Sequence, residues 1–145
     1  MMQQGNGAMG RFSVEMEVAN YLDIAKAAEG TLPPDKVRRM KVTGLVDTGA
    51  VRLVLPPSVV QQLGLPSAGD VTVRYADGRT ATLQRASGAE VTLQGRKSSF
   101  TALVEPKRTD ALIGALVLEE LDFLVDPTNQ RLVPRDPNTI ISEIE

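Results

Sequence analysis

Gly44-Leu45-Val46-Asp47-Thr48-Gly49-Ala50 runs from apolar residues into a carboxylate, a hydroxyl and a glycine. An acid set directly after an apolar run is costly to bury unless something meets its charge. The strand-like pattern of residues 37–46 is cut by Asp47-Thr48-Gly49, whose types favour a turn. Val51 to Leu55 reads as a further short strand, closed by Pro56-Pro57. Asp47 is therefore expected where one apolar strand gives way to another.

Working outward, Phe12 to Val18 alternates apolar with polar residues and predicts a strand with one buried face. Residues 20–36 form an excursion before the Asp47 strand, with a short helix from Tyr21 to Glu29, Gly30 at its end and Pro33-Pro34 closing it. Ser58 is expected to cap a helix reaching Leu63, with Pro56 or Pro57 at its entrance and Gly64 after it. Val71 to Tyr75 and Arg79 to Leu83 form a hairpin around Ala76-Asp77-Gly78, since Asp-Gly between alternating strands is a strong turn signal. A second hairpin joins Ala89 to Leu93 with Ser99 to Val104 through a turn near Gly95-Arg96. Leu112-Ile113-Gly114 then opens a helix over residues 115–121, and a last hairpin turns at residues 126–129. The expected division is a flexible start at 1–10, one domain over 11–134, and a tail or interface arm at 135–145.

Composition narrows the chemistry. The chain has 145 residues, the size of one domain with one core. With no Cys and no His, thiol nucleophiles, thiolate metal sites and the commonest general base are all missing. Reactions here must use carboxylates, hydroxyls, amines or the backbone, and no cofactor or metal is expected. Asp122 and Asp126 are a poor metal pair because Asp126-Pro127 suits a turn and no further ligands are spaced around them. Sixteen basic against eighteen acidic side chains offer no general attraction to nucleic acid or anionic membranes, so neither is expected as a partner. The basic run Lys36, Arg38, Arg39 and Lys41 reads as a solvated strand edge. No window approaches eighteen uninterrupted apolar residues, and the expectation is a soluble, cytoplasmic protein.

Val46-Asp47-Thr48-Gly49-Ala50 resembles the active-site motif of aspartic proteases. The order of elements after it, from the strand through two hairpins to Ala111-Leu112-Ile113-Gly114 and a helix, is similar to that of the retropepsin-like, single-lobe family, here in a bacterial-type form. The resemblance implies a mainly β fold, a closed barrel or sandwich of antiparallel hairpins with one or two short helices. It implies an aspartic endopeptidase whose Asp47 is catalytic and paired with its symmetry mate in a homodimer, because a bilobal chain would carry two such motifs and this one carries one. It further implies that Thr48, Gly49 and Ala50 form the active-site loop and dimer grip, and that Leu112, Ile113 and Gly114 support the loop from beside it. Tyr75, Ala76, Asp77 and Gly78 fall where that family carries a flap, a hairpin over residues 71–83 that closes on peptide substrate. Two positions depart from the retroviral pattern: Val51 and Ala115 stand where many members have an acid and an arginine, so substrate binding at the outer subsites is not carried over.

Two other readings compete. A dimeric module of the same fold that binds peptide without cleaving it fits the same motif. Leu55-Pro56-Pro57 through Leu65, followed by Gly69-Asp70-Val71, also looks like the strand, helix and strand of swapped-hairpin DNA-binding regulators and antitoxins. That likeness leaves Asp-Thr-Gly-Ala and Leu-Ile-Gly unexplained.

Overall fold

The computed structural model describes residues 11–145, so the expected flexible start at 1–10 lies outside the described residues. Among the described residues nine strands form: β1 (Arg11–Asn20), β2 (Arg39–Asp47), β3 (Leu53–Leu55), β4 (Ser67–Arg74), β5 (Thr80–Leu93), β6 (Arg96–Val104), β7 (Ala111–Ile113), β8 (Phe123–Asp126) and β9 (Arg131–Pro134). Three α-helices accompany them there, α1 (Tyr21–Glu29), α2 (Pro57–Leu63) and α3 (Ala115–Leu121), with a 3-10 turn at Pro34–Lys36. The helices exceed the expected one or two because all the candidate helical stretches fold.

The sheet order β1-β2-β7-β3-β6-β5 returns to β1 through a β1 to β5 pairing, which closes a six-stranded barrel. Closure removes the free edges that an open sheet would expose. Two of its contacts are parallel, β2 with β7 and β3 with β6, so the ring is not built from antiparallel hairpins alone. Strand β3 lies in this ring between β7 and β6 while β4 pairs with β5 outside it, so the stretch read as a swapped-hairpin unit is divided between the barrel and an added strand.

Strand β5 is a single run of 14 residues where two separate strands were expected. Its first half pairs with β4 on one side, its second half pairs with β1, and β6 runs along both halves. A register shift between Ala86 and Ala89 separates the halves and lets one strand serve two neighbours. The β5 to β6 turn falls at Gln94-Gly95, one residue earlier than expected, with φ of 48° and 81°. Two successive left-handed residues match the twist of paired strands, which fixes the turn there.

The core is aliphatic, with Val18, Val46, Leu55, Val91, Ile113, Val117 and Leu121 fully buried. In β1 the expected alternation holds, with Phe12 and Met16 inward and Arg11, Ser13 and Glu15 outward or at the margin. Helix α2 starts at Pro57, and its cap position is Pro56, which makes no side-chain bond. Ser58 lies inside the first turn rather than capping it, because the two prolines already fix the entry geometry.

The excursion at residues 20–36 is anchored by buried polar groups. Asn20 accepts from the Asp23 backbone N–H at 3.0 Å and donates to the Leu63 carbonyl at 2.8 Å. Asp23, 5% exposed, accepts from Arg38 Nε at 2.8 Å, Nη2 at 3.0 Å and the Arg38 backbone N–H at 3.0 Å. Arg38 thus belongs to a bidentate pair and not simply to a solvated basic edge. Hydrogen bonding from Arg38 holds the Asp23 carboxyl down at about 2, against the opposing effect of burial.

A depressed folded-state value contributes stability above the unfolded carboxyl range and loses it as pH falls toward 2. Wild type is therefore expected to lose on the order of 1–2 kcal/mol between pH 5 and pH 2 through this group, a figure discounted because the Arg38 guanidinium is half exposed. Urea unfolding midpoints of wild type and Asp23→Asn should converge as the pH drops. Parallel midpoint curves across that range would refute the assignment.

Residues 135–141 are tied to the domain at several points. Arg96 donates to the carbonyls of Leu121, Asp122, Asp136 and Thr139, and its guanidinium lies 5.6 Å from the Phe123 ring centroid. Asp122 accepts from Arg135 Nε at 2.7 Å and from the Ile141 backbone N–H at 3.0 Å. Asp126 accepts from the Asn129 backbone N–H, as a turn residue does. Among the described residues no three His, Cys, Asp or Glu side chains cluster as a metal would require, and no helix is long and apolar enough to cross a membrane.

Candidate active site

Asp47 ends β2, and the loop from Thr48 to Arg52 carries the chain to β3. Strand β7 lies between these two, with Gly44 to Val46 parallel to Ala111 to Ile113 and Leu53-Val54 antiparallel to Leu112-Ile113. Both ends of the loop are thus held by one three-residue strand. Helix α3 follows at once, and its first two N–H groups, which have no partner within the helix, meet the loop. Ala115 N–H donates to the Ala50 carbonyl and Leu116 N–H to the Val51 carbonyl, each at 2.9 Å. This demand on Val51 explains why the β3 strand starts at Leu53 and not at Val51.

Gly114 makes that contact possible. A Cβ built there would meet the Arg52 carbonyl oxygen and the Val51 carbonyl carbon at 2.5 Å each. Its φ of −90° is ordinary, so the glycine is needed for close approach and not for an unusual backbone conformation.

Within the loop, Gly49 N–H donates to Asp47 Oδ1 at 2.9 Å, and Ala50 N–H donates to the Asp47 backbone carbonyl at 3.1 Å. Asp47 Oδ2 faces Arg11 Nη2 at 3.1 Å, with side-chain exposures of 15% and 53%. Arg11 sits directly across from Asp47 in the β1 to β2 register. This partner was not foreseen, because only the strand register brings a residue so far upstream beside the acid.

Asp47, Gly49 and Ala50 line a cavity of about 650 Å³, together with Tyr75, Ala76 and Leu112 from the expected set. Thr48 is exposed on the loop and does not line it. Ile113 is fully buried in the core and Gly114 lies behind the loop, so both support the site from outside the cavity. Asp77 and Gly78 form the hairpin turn beyond the lining residues, closed by Tyr75 N–H to the Arg79 carbonyl at 2.8 Å. Hydrogen bonding from the Arg79 backbone N–H, and then from its side chain, lowers the Asp77 carboxyl. No residue of 20–36 lines this cavity.

The hairpin is tied down by a contact that the sequence does not announce. Tyr75 Oη donates to Glu105 Oε2 at 2.7 Å, Glu105 Oε1 pairs with Arg108 Nε at 2.7 Å, and Arg79 lies 4.4 Å from the Tyr75 ring centroid. The Glu105 bond, then burial, raises the Tyr75 hydroxyl, and the same bond lowers the Glu105 carboxyl. These residues also form the wall toward a neighbouring cavity of about 830 Å³ that does not contain Asp47. Tyr75→Phe is expected to weaken the hairpin by about 1–2 kcal/mol. Hydrogen exchange should accelerate over residues 71–83 and leave β7 unchanged; unchanged exchange in the hairpin would show that the bond does not hold it.

The geometry can be set against known proteins. No curated protein is significantly similar to the chain. Among solved structures it is similar to the EIAV protease complexed with the inhibitor HBY-793, with a TM-score of 0.55 and 15% identity over 77% of this chain and 88% of that one. At that identity the likeness is one of fold, and the fold is the retropepsin-like barrel. The family model described as aspartyl protease matches residues 35–117, which take in the Asp47 loop, the Tyr75 hairpin and Leu112-Ile113-Gly114. That stretch covers more than half of the chain and contains the whole loop-and-clamp arrangement around Asp47, so the chain belongs to the aspartyl protease family.

Proposed function

We propose that the protein is an aspartic endopeptidase that hydrolyses peptide bonds with a water activated by Asp47 and the partner subunit's Asp47 across a homodimer. The observation that carries this is the single Asp-Thr-Gly loop, clamped by α3, with its carboxylate at the wall of an open cavity. Two carboxylates at about 3 Å cannot both ionise readily, so the pair holds one proton, as is general for the dyads of aspartic proteases. The ionised member takes a proton from the water as it attacks, and the protonated member donates a hydrogen bond to the scissile carbonyl. Proton return to the leaving amine completes the cycle.

Arg11 bears on this arrangement. A cation beside one carboxylate opposes proton sharing, so productive pairing has the half-exposed Arg11 side chain turned toward solvent. The surface left for a second copy is apolar at its rim, with Val51 59% and Leu116 44% exposed beside the exposed Thr48. Thr48 makes no side-chain hydrogen bond among the described residues, which leaves its hydroxyl for a contact across the two-fold axis. Closure of the 71–83 hairpin over bound peptide, as a flap, excludes water from the cleft.

A two-copy site makes activity depend on concentration. Sedimentation should show a two-chain species at assay concentration, and specific activity should fall on dilution below the dissociation constant. An enzyme that stays active as a strict monomer would refute the shared dyad.

A further inference from the structure

We propose that the cavity beside Asp47 selects peptides carrying acidic side chains, with Arg52, Arg74 and Arg85 as the residues that receive them. The inference rests on the protease reading above and names the substrate class of that same site. Among the described residues five arginines, Arg11, Arg52, Arg74, Arg85 and Arg108, line the cavity against two carboxylates, Asp47 and Glu105. The chain as a whole carries a net charge of −2, so this local excess of positive charge does not follow from composition.

Both carboxylates are already engaged: Asp47 pairs with Arg11 at 3.1 Å in the single chain and with its symmetry mate in the proposed dimer, and Glu105 pairs with Arg108 at 2.7 Å. Neither is left to attract a basic substrate side chain. Arg52 and Arg74 are exposed and enter no ion pair among the described residues. Arg85 projects from the half of β5 that pairs with β4, and its Nη2 donates to the Ala68 carbonyl at 2.7 Å. Its Nε is buried without a hydrogen-bond partner among the described residues. The guanidinium is thus held in position by a neutral carbonyl, while no carboxylate among those residues neutralises it.

An oriented but uncompensated guanidinium in a half-enclosed cavity favours an anion of matching fork geometry, and a carboxylate provides one. The remaining lining includes Val71, Val73, Leu83 and Leu103, so the same cavity also receives apolar side chains. The fitting peptide is apolar near the scissile bond with Asp or Glu close by. A lysine in its place meets like charge that no free acid offsets. The two-fold copy repeats the same arginines, so the positive field acts along both arms of the cleft.

The test uses peptides on one apolar core sequence, identical except for Glu, Gln or Lys at positions flanking the cleaved bond. Wild type is expected to favour Glu over Gln by about tenfold in kcat/KM at low salt, with Lys poorest and the preference shrinking as NaCl rises. Arg52→Gln combined with Arg74→Gln should bring the Glu to Gln ratio toward one without abolishing cleavage of the Gln peptide. Arg85→Met should lower the ratio as well, and Arg85→Lys should restore part of it, which separates charge recognition from damage to the fold. Equal kcat/KM for Glu and Gln at every position, or a Glu preference unchanged in all variants, overturns the inference while leaving the protease reading intact. Should wild type cleave none of the peptides, the protease reading fails separately, and fluorescence anisotropy with the same peptides decides the selection. Tighter binding of the Glu peptide, weakened in the arginine variants, supports it, and equal binding of all three overturns it.

Discussion

Asp47→Asn should lower kcat/KM for peptide hydrolysis by at least about 10⁴-fold, at the upper end of what general acid–base groups contribute. The substitution is close to isosteric and retains an oxygen to accept from Gly49 N–H, now at 2.9 Å from Asp47 Oδ1. What it removes is the ability to take and return a proton. In the proposed symmetric dimer one substitution changes both copies, so no ionised carboxylate would be left to activate water. Arg11 loses its ion-pair partner, but its side chain is 53% exposed and water replaces the contact at little cost. Circular dichroism, thermal midpoint and sedimentation should therefore match wild type while cleavage disappears. Equal cleavage by both proteins would remove Asp47 from the mechanism and with it the dyad.

Gly114→Ala is expected to be the most damaging single methyl addition near the site, destabilising the fold by about 3 kcal/mol or more. The added carbon would lie 2.5 Å from both the Arg52 carbonyl oxygen and the Val51 carbonyl carbon, and 2.7 Å from the Arg52 nitrogen. All three are backbone atoms, so no side-chain rotation relieves the overlap. Relief requires α3 to move off the loop, which breaks the two 2.9 Å hydrogen bonds from Ala115 and Leu116. Urea unfolding should show the lower midpoint, and the residual folded fraction should be poorly active because the Asp47 loop has lost its clamp. A midpoint within about 0.5 kcal/mol of wild type would refute the close-approach role.

The elements that were legible in the sequence are those whose signal is local. Asp77-Gly78 marks its own turn, Gly30 and Gly64 stop their helices in left-handed conformations, and the Asp47 loop announces itself by breaking an apolar strand. Leu112-Ile113-Gly114 was placed beside the loop by resemblance alone, and the physical reason for its glycine became visible only with the backbone of Val51 and Arg52 against it. Where two local signals compete, the reading failed by two residues: Ser58 is a good cap, yet Pro56 takes the cap position and Pro57 opens the helix.

Contacts between distant residues were not legible. Arg11 reaches Asp47 only through the β1 to β2 register, and Tyr75 reaches Glu105 across a separation of 30 residues. Arg38 looked like one member of a basic run until Asp23 was found buried against it. Arg96 looked like a turn residue, and its work of gathering carbonyls from Leu121 to Thr139 depends on where the later chain returns. The basic lining of the cavity has the same origin, since its arginines come from β1, the Asp47 loop, β4, β5 and the segment after β6.

The insertion of β7 between β2 and β3 has a consequence for when the Asp47 loop can take its shape. Residues 111–116 seat both flanks of the Asp47 loop and supply the N–H groups that fix it, yet they are synthesised long after Asp47 itself. A nascent chain that has emerged only as far as β6 has its acid but nothing to shape the loop around it. Contacts between such distant segments also carry a larger closure entropy than local ones. The loop around Asp47 therefore takes its shape only once residues 111–116 have joined the sheet.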